Sequence, residues 1–488
     1  MQLLPFTFAK KYQLLLSHRE ESGDPVLWSH QQPELAAVLE VQRVTGQLPP
    51  LEMVSEEQFQ QQLERTYGGQ GSREFQQFVS DEIDLAALAE AVPDDEDLLD
   101  ADQNAPIVKL INGLFSEALK LKASDIHIET YEKSFSVRYR IDGVLQEILS
   151  PDKRLAPLLI SRIKVMAKLD IAEKRVPQDG RITIRLAGRP VDIRVSTLPT
   201  GHGERVVMRL LDKRNARLDL KHLGMPDATL QVFTELLQNP NGIILVTGPT
   251  GSGKTTTLYS GLTLLNDRCR NILPVEDPIE YALEGVGQTQ VNTKTGMTFA
   301  KGLRAMLRQD PDVVLVGEIR DLETAEIAVQ ASLTGHLVLS TLHTNDAAGA
   351  ITRLTDIGVE PFLISSALKG VLAQRLVRRL CEHCKTPAQS TPQLWQQLGM
   401  EPPEQATEIY TALGCEKCGH SGYQGRIGVY ELLPVDSELA RQIHDQAPEA
   451  ELRKSLEQSS QTLLAQGAEL VLQGVTDLPE LIRCIRGS

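Results

Sequence analysis

A glycine-rich loop, Gly248-Pro-Thr-Gly-Ser-Gly-Lys-Thr255, is the segment of this 488-residue sequence whose residue types and spacing most clearly predict chemistry. It fits the pattern GxxxxGK[ST] and lies between a short apolar segment typical of a strand, Gly242–Thr247, and a segment with helical leucine spacing. Glycines allow backbone N–H groups to point inward around an anion at the start of a helix. In this pattern Lys254 contacts the β- and γ-phosphates, and the hydroxyl of Thr255 ligates Mg²⁺.

The alternative for this loop is a glycine-rich turn without a ligand. A chance match to the pattern in a chain of this length has a probability of about 2%, and the strand–loop–helix setting lowers it further. We therefore predict that the loop binds ATP with Mg²⁺. The predicted nucleotide-binding residues of the loop are Gly248, Pro249, Thr250, Gly251, Ser252, Gly253, Lys254, Thr255 and Thr256.

Hydrolysis also requires an acidic group that acts on water. The segment Asp312-Val-Val-Leu-Val-Gly-Glu318 is an apolar strand that places Glu318 at its C-terminal end, where the sheets of α/β proteins bind ligands. In the simplest Walker B motif the strand ends in Asp, whereas here Gly317 follows the strand. We predict that Glu318 polarises the attacking water; an indirect contact with the metal is left open, and so is the alternative of a solvated strand end.

Two further features lie near the same predicted sheet edge. The segment Val275-Glu-Asp-Pro-Ile-Glu280 by itself indicates a turn, since Asp-Pro favours turns, but beside the loop it predicts a Mg²⁺ and water site with Glu276 and Glu280. His343 follows a strand-like segment that ends at Ser340 and Thr341. Its spacing is compatible with both a sensing role and a structural one.

Four of the six cysteines form two CxxC pairs, Cys381 with Cys384 and Cys415 with Cys418, separated by thirty residues. Two such pairs supply four thiolates for one tetrahedral ion, and sulfur ligands select Zn²⁺ over Mg²⁺ or Ca²⁺. Because all four positions are filled by protein, we predict a structural site. A redox-active CxxC is the alternative.

The elements that must position these groups divide the chain into domains. Residues 1–80 have helical spacing and form a predicted mainly helical N-terminal domain, followed by an acidic linker, 81–103. Segments with two-residue alternation predict a small α+β domain over 104–217. Short apolar strands that alternate with helices predict an α/β motor domain with a parallel sheet over 218–488, including the cysteine-rich subdomain at 375–426 and a C-terminal helical region. The alternating segments are Phe135–Arg140, Arg181–Arg185, Val191–Val195 and Arg205–Leu210, and the apolar strands are Gly242–Thr247, Val313–Val316 and His336–Ser340.

The composition of the chain disfavours two classes of protein, those that bind nucleic acid nonspecifically and those that span a membrane. The formal net charge of −15 disfavours nonspecific nucleic-acid binding, which needs basic surface to displace counterions. No apolar run approaches the length of a membrane span, and the N-terminus lacks the basic-then-apolar order of a signal peptide. We therefore predict a cytoplasmic protein whose membrane association is peripheral and which binds no nucleic acid.

Together these motifs resemble the secretion ATPases, the family of type II secretion and type IV pilus motors. Four family boxes occur in order: Walker A at 248–255, an Asp box at 275–280, Walker B at 312–318 and a His box at 335–343. The four-cysteine insert resembles the assembly-type motors. The opening Leu4-Pro-Phe-Thr-Phe-Ala9 and the acidic linker resemble the type II secretion branch.

The resemblance implies more than the spacing does. It implies a RecA-like motor domain after a PAS-like second domain, and a homohexamer at the cytoplasmic face of the inner membrane that drives pseudopilus assembly and export of folded proteins. The implied partners are the cytoplasmic domain of the bitopic L component, on which the N-terminal domain docks, and an inner-membrane platform protein. His343 becomes a predicted γ-phosphate sensor. Arginines expected near the phosphates are Arg194 and Arg209 in the second domain, and Arg304 and Arg308 before Walker B.

Alternatives remain at this point. Arg194, with Arg181 and Arg185, is equally explained as the solvated face of a sheet. A type IV pilus assembly ATPase differs from the secretion interpretation mainly in the N-terminal region. A hexameric nucleic-acid translocase uses the same core, although the low aromatic content of 4% disfavours a stacking platform. A nucleotide-gated scaffold without turnover is disfavoured by Glu318 and His343.

Overall fold

The computed structural model describes residues 9, 12–18, 25–33, 37–38, 41–42, 49–59, 62, 106–186, 189–211, 219–390, 392, 395–396, 408–458 and 462–485. The chain divides into two compact units, 1–213 and 214–488. The predicted acidic linker at 81–103 lies outside the described residues. Within the described ranges, no helix has the length and apolar character needed to cross a membrane.

The described part of the N-terminal region contains a small sheet. Strand β1 (Leu14–His18) pairs antiparallel with β2 (Pro25–Ser29), and β3 (Leu51–Met53) pairs parallel with β2. Leucines of β1 and β2 are buried between the sheet and helical residues. The sequence predicted a mainly helical domain here, so the three strands are an addition that helical spacing did not indicate.

The second domain is a six-stranded antiparallel sheet with two helices. Helix α1 packs on the sheet, where the Tyr139 hydroxyl donates to the carbonyl oxygen of Leu114 at 2.8 Å. The four segments predicted from two-residue alternation lie in β5, β7, β8 and β9. The strand order is β6-β5-β4-β9-β8-β7. The elements are α1 (Pro106–Lys120), β4 (Asp125–Thr130), β5 (Phe135–Ile141), β6 (Val144–Leu149), α2 (Ala156–Met166), β7 (Gln178–Leu186), β8 (Arg189–Thr200) and β9 (Gly203–Leu211).

The motor domain is built on a seven-stranded sheet of order β12-β11-β13-β14-β10-β15-β18. Its neighbouring strands are parallel, except that β15 and β18 pair antiparallel. The predicted strands at 242–247 and 313–316 are confirmed, and the third begins one residue later than predicted. The strands are β10 (Gly242–Thr247), β11 (Ile272–Glu276), β12 (Thr289–Gln290), β13 (Val313–Val316), β14 (Leu337–Leu342), β15 (Leu368–Leu380) and β18 (Tyr423–Pro434). A separate two-stranded antiparallel sheet is formed by β16 (Thr386–Gln389) and β17 (Glu408–Thr411).

Helices cover both faces of this sheet, which explains why its strands are continuous apolar runs. Alternate residues of β10 enter different cores: Ile243 and Leu245 pack on one face, and Ile244 and Val246 on the other. The helices are α3 (Asp227–Leu237), α4 (Lys254–Leu265), α5 (Phe299–Met306), α6 (Leu322–Leu333), α7 (Ala347–Ile357), α8 (Pro361–Ala367), α9 (Ser437–His444), α10 (Glu449–Gln458), α11 (Leu463–Leu472) and α12 (Leu478–Ile485).

The cysteine-rich subdomain is an excursion between the last two strands of the sheet. The chain leaves the sheet after β15 ends at Leu380 and returns where β18 begins at Tyr423. The outermost residues of the predicted subdomain therefore belong to the sheet. The excursion begins directly after β15, and β15 is the strand that lies next to the phosphate loop.

Candidate active site

The phosphate loop connects the end of β10 to the start of α4, as the motif predicts. Gly248 and Gly253 have φ values of +147° and +89°, which disfavour residues with a side chain. They also lie against β15: a Cβ on Gly248 would be 2.4 Å from the backbone oxygen of Gln374, and one on Gly253 would be 2.8 Å from its Nε2. The glycine spacing thus lets the loop close onto the neighbouring strand.

The lysine of the loop is folded onto the loop itself. Lys254 Nζ donates to the carbonyl oxygens of Gly248 at 2.7 Å and Pro249 at 3.1 Å. The pKa of Lys254 is lowered to about 8, chiefly by burial; the charge of Glu318 opposes this shift, and the charge of Arg375 adds to it. An anion in the loop would favour the charged ammonium. Protonation of Lys254 and binding of an anion in the loop therefore favour each other.

Two hydroxyls of the loop fit the predicted ligands. Ser252 is buried, and its Oγ has no hydrogen-bond partner among the described residues. A buried, unpaired hydroxyl is costly and is satisfied when an acceptor such as a phosphate oxygen arrives. Thr255, in the first turn of α4, is exposed, so its hydroxyl is accessible to a metal ion. The residues present therefore fit ATP with Mg²⁺.

Glu318 lies at the end of β13, as predicted, and Gly317 explains the departure from the simplest Walker B motif. A Cβ on Gly317 would lie 3.3 Å from the carbonyl oxygen of Val275 and 3.4 Å from Cα of Glu276. The adjacent strand β11 therefore leaves little room for an aspartate at this position. The acidic group stands one residue later, and the side chain of Glu318 is only 14% exposed.

His343 and Glu318 meet at the C-terminal edge of the sheet. His343 follows β14, and its Nε2 is 3.6 Å from Glu318 Oε2. The pKa of His343 is lowered, mainly by burial and next by the charge of Lys254. The charge of Glu318 acts in the opposite direction. The three predicted residues Lys254, Glu318 and His343 thus interact electrostatically, although their roles stay predictions.

Arg320 also belongs to this edge, and the sequence reasoning missed it. Its guanidinium forms an ion pair with Glu318 Oε1. The signal that identifies it is the i, i+2 spacing from Glu318, because alternate residues of an extended segment project to the same side. No other feature of the sequence distinguishes Arg320 from other arginines of the chain.

Glu276 lies at the end of β11 and is almost completely buried. Its Oε2 accepts from the Tyr259 hydroxyl and its Oε1 from Gln288 Nε2 at 3.1 Å. Burial raises the pKa of Glu276. Both oxygens therefore have partners that a contact to Mg²⁺ or water would have to replace. Glu280 stays a predicted ligand on the loop after β11.

The two arginines before Walker B lie on and just after α5. Both are exposed. Arg304 Nη1 donates to Glu323 Oε1 at 2.7 Å, and Arg308 Nη1 donates to the carbonyl oxygen of Arg304 at 2.8 Å. A phosphate contact by Arg304 would have to replace this surface ion pair. The phosphate contacts of both arginines stay predictions.

The second domain carries a row of charged residues across five strands. Arg194 lies directly opposite both Arg181 and Arg209, and Asp125 lies directly opposite both Arg209 and Arg140. Like charges in directly opposite positions destabilise a sheet. Arg209 Nε donates to Asp125 Oδ1 at 2.9 Å while the arginine side chain remains 54% exposed. We call these five residues the arginine row; an anion that binds there would offset the repulsion.

The four cysteines converge as the two CxxC pairs predict. All four Sγ atoms lie within 4.8 Å of one another, and three of the separations are 3.9 Å, 3.8 Å and 3.8 Å. Four sulfurs around one Zn²⁺ at bond lengths of about 2.3 Å are separated by about 3.8 Å. The backbone N–H of Gly422 points to Cys418 Sγ at 3.3 Å. The residues therefore fit a structural zinc held by Cys381, Cys384, Cys415 and Cys418.

Comparison with known proteins gives consistent matches along the chain. The family described as "Type II/IV secretion system protein" matches residues 100–483, and a domain family of "GSPII protein E" matches residues 3–67. The chain is 55% identical to type II secretion system protein E of Aeromonas hydrophila, over 99% of this chain and 96% of that protein. It is 53% identical to type II secretion system ATPase E of Vibrio cholerae, over 99% and 97%.

Solved structures give the same fold. The pilus retraction motor PilT with bound ADP is 28% identical, covering 76% of this chain and 95% of that one, with a TM-score of 0.52. The ATPase DotB of Legionella pneumophila is 22% identical, covering 78% and 95%, with a TM-score of 0.57. The first of these structures contains bound ADP, and the second supports the fold alone.

Proposed function

This chain belongs to the Type II/IV secretion system protein family, and we propose that it is the hexameric motor that drives pseudopilus assembly and export of folded proteins in a type II secretion system. It is an ATP hydrolase. We place it in the cytoplasm, peripherally at the inner membrane, with the L component and the platform protein as partners. The proposal is supported by relatives that match almost the whole chain, including the N-terminal region.

The observation that carries the proposal is the convergence of Lys254, Glu318 and His343 at one end of the motor sheet. These residues come from β10–α4, β13 and β14, which are adjacent in the order β13-β14-β10. Ligands of parallel α/β sheets bind at this edge. A carboxylate that can act on water and a cation beside a phosphate loop are groups that phosphoryl transfer to water uses, and the imidazole lies close enough to contact the same phosphate.

The chemistry then follows from these side chains. Lys254 leaves the carbonyl oxygens of its own loop and binds phosphate oxygens, and Thr255 supplies a hydroxyl for the metal. When bound, Mg²⁺ neutralises charge on the phosphate oxygens. Glu318 orients a water and takes its proton as the water oxygen bonds to the γ-phosphorus. The bond to the bridging oxygen breaks, and ADP leaves with that electron pair. His343 contacts the γ-phosphate, and Arg194 and Arg209 stabilise its developing charge.

The N-terminal region separates this proposal from type IV pilus assembly. Residues 3–67 match the GSPII protein E domain family, and the relatives that cover this region are named type II secretion proteins. The net charge of −15 disfavours the nucleic-acid translocase. ATP hydrolysis that is unchanged by single-stranded DNA would agree with this choice.

Complementation tests the proposed function. In a host that lacks its own type II secretion ATPase, the intact chain should restore exoproteins to the medium, and Lys254→Ala should not. Arg441→Gln, on an exposed ion pair with Glu438 far along the chain, is the control for expression. Surface pili without secreted exoproteins would favour the pilus alternative, and stimulation of ATP hydrolysis by DNA would favour the translocase.

A further inference from the structure

A single hydroxyl distinguishes Thr247, the last residue of β10, from the apolar residues that precede it. Thr247 comes directly before the phosphate loop, lies opposite Leu342 of β14 and is completely buried. Valine has nearly the same shape and suits a buried strand, whereas a buried hydroxyl is costly unless it is hydrogen-bonded. The Thr247 hydroxyl therefore needs partners, and these lie in the segment that carries His343.

The Thr247 side chain holds the chain that follows β14. Its Oγ1 accepts from the N–H of Thr344 at 3.0 Å, and it lies 2.7 Å from the Thr344 hydroxyl and 3.2 Å from the carbonyl oxygen of Leu342. Leu342 is also the residue that pairs with Thr247 in the sheet. The residues on both sides of His343 are thus tied to the strand that leads into the phosphate loop.

A second contact to this segment comes from β15, the strand next to the phosphate loop. Arg375 is almost completely buried, and its Nη2 donates to the carbonyl oxygen of Asn345 at 2.7 Å. Its Nη1 donates at 3.2 Å to the carbonyl oxygen of Gln374, the same oxygen that Gly248 of the loop approaches closely. Both strands that border the phosphate loop, β10 and β15, therefore hold the segment after β14.

The position of His343 depends on this support of its backbone. The residue lies between β14 and α7, outside both elements, and its side chain is 51% exposed. Packing around the imidazole therefore does little to hold it, and its distance from the loop is set by the contacts of Leu342, Thr344 and Asn345. A displacement of about 1 Å is enough to weaken the action of a positioned group.

We propose that Thr247 is a positioning residue, whose hydroxyl keeps the imidazole of His343 within reach of the terminal phosphate of ATP. This inference rests on the proposed role of His343 as the γ-phosphate sensor. ADP lacks the terminal phosphate. Thr247 therefore contributes to the preference for ATP over ADP, and it does so through His343 instead of by a contact of its own.

Equilibrium binding of two nucleotides separates this role from a structural one. The probes are the non-hydrolysable β,γ-imido analogue of ATP and ADP, each with Mg²⁺, titrated into the full chain. Thr247→Val should weaken binding of the imido analogue by about fivefold, as expected for loss of a hydrogen bond, and should change ADP binding by less than about twofold. Thr247→Ser restores a hydroxyl and should recover most of the affinity. Thr476→Val removes an equally buried hydroxyl, bound to the carbonyl oxygen of Arg378, and should change neither affinity.

A double-mutant cycle shows whether Thr247 acts through His343. His343→Ala should weaken binding of the imido analogue by about tenfold, and Thr247→Val should then add less than about twofold. A full fivefold loss in the His343→Ala background would overturn the proposal. So would an equal loss of both nucleotides in a folded Thr247→Val protein, or no loss at all. Unchanged affinity in His343→Ala would instead contradict the sensor role of His343, and the inference would fail with it.

Thr344→Val carries the same test if Thr247→Val does not fold. It removes the other hydroxyl of the pair and leaves β10 unaltered. It should weaken binding of the imido analogue selectively and should add little to His343→Ala. An additive loss, or a loss shared equally by ADP, would overturn the proposal.

Discussion

The motor sheet and the sheet of the second domain both concentrate charge, but they do so in different places. In the motor domain the charged groups lie beyond the strand ends, where Lys254, Glu318 and His343 meet at one edge. In the second domain they lie on the sheet face, where the arginine row crosses five strands. A parallel sheet buried on both faces can present charge only at its ends, whereas an antiparallel sheet can keep one face polar.

The two regions place charge where an anion could bind in two different ways. At the motor edge, the predicted nucleotide site is formed by a phosphate loop and a few side chains on short segments, so it depends on local geometry. In the arginine row, repulsion between neighbouring strands is partly offset by Asp125, whose carboxylate is almost fully buried. The row depends on pairing between strands, some of them far apart in sequence.

Removing zinc should have the largest effect on stability and should leave both charged sheets intact. Structural zinc is worth about 10–16 kcal/mol in apparent binding, similar to the whole stability of a domain at about 5–15 kcal/mol. Cys384→Ser should lose the metal and unfold residues 381–422. Elemental analysis should give one zinc per intact chain, and nucleotide binding should survive in the variant. Substoichiometric zinc in carefully reduced protein would contradict the site.

Removing Arg209 should have the largest effect on turnover among changes in the arginine row. An arginine that stabilises a phosphoryl-transfer transition state contributes about 10³–10⁵ in rate, so Arg209→Ala should lose activity on this scale while it still binds ATP. Steady-state hydrolysis and equilibrium binding measure the two parts, with Arg441→Ala as control. Full activity in both Arg194→Ala and Arg209→Ala would reduce the row to a solvated sheet face.

The motor edge should respond to pH through Lys254. Because burial lowers its pKa to about 8, the ammonium of the nucleotide-free chain loses its proton as the pH rises through 8, and the loop loses its cation. Binding of ATP should therefore weaken above pH 8, by up to about tenfold per pH unit. The same titrations on Lys254→Arg, which keeps its charge, should give a flat profile. An equal pH slope in both proteins would show that another group titrates.

Neutralising Glu276 should have the smallest effect. Its carboxylate is buried, bound by Tyr259 and Gln288, and has a raised pKa, so an amide of the same shape is well tolerated there. Glu276→Gln should keep turnover within about fivefold, far from the roughly 10²–10⁴ worth of a positioned acid–base group. A loss on that larger scale would instead support the predicted contact with Mg²⁺ or water.

The same comparison explains what could be predicted from sequence. The motor edge follows from motifs of a few consecutive residues, which is why the positions of Lys254, Thr255 and Glu318 at this edge could be predicted without a structure, while their roles stay predictions. The partners of Glu276 are 12 and 17 residues away, and those of Arg209 are up to 84 residues away. Strand register decides such pairs, and register depends on the whole sheet. The N-terminal strands were missed because leucine-rich segments fit helical spacing as well.

The central claim is that Glu318 activates water beside the phosphate loop. The most direct test is to measure ATP binding and single-turnover phosphate release in Glu318→Gln and in the intact chain. Binding should be retained or strengthened, and phosphate release should slow by about 10²–10⁴. Release at a near-normal rate, with ATP bound at the same affinity, would contradict the account and assign the base to another residue.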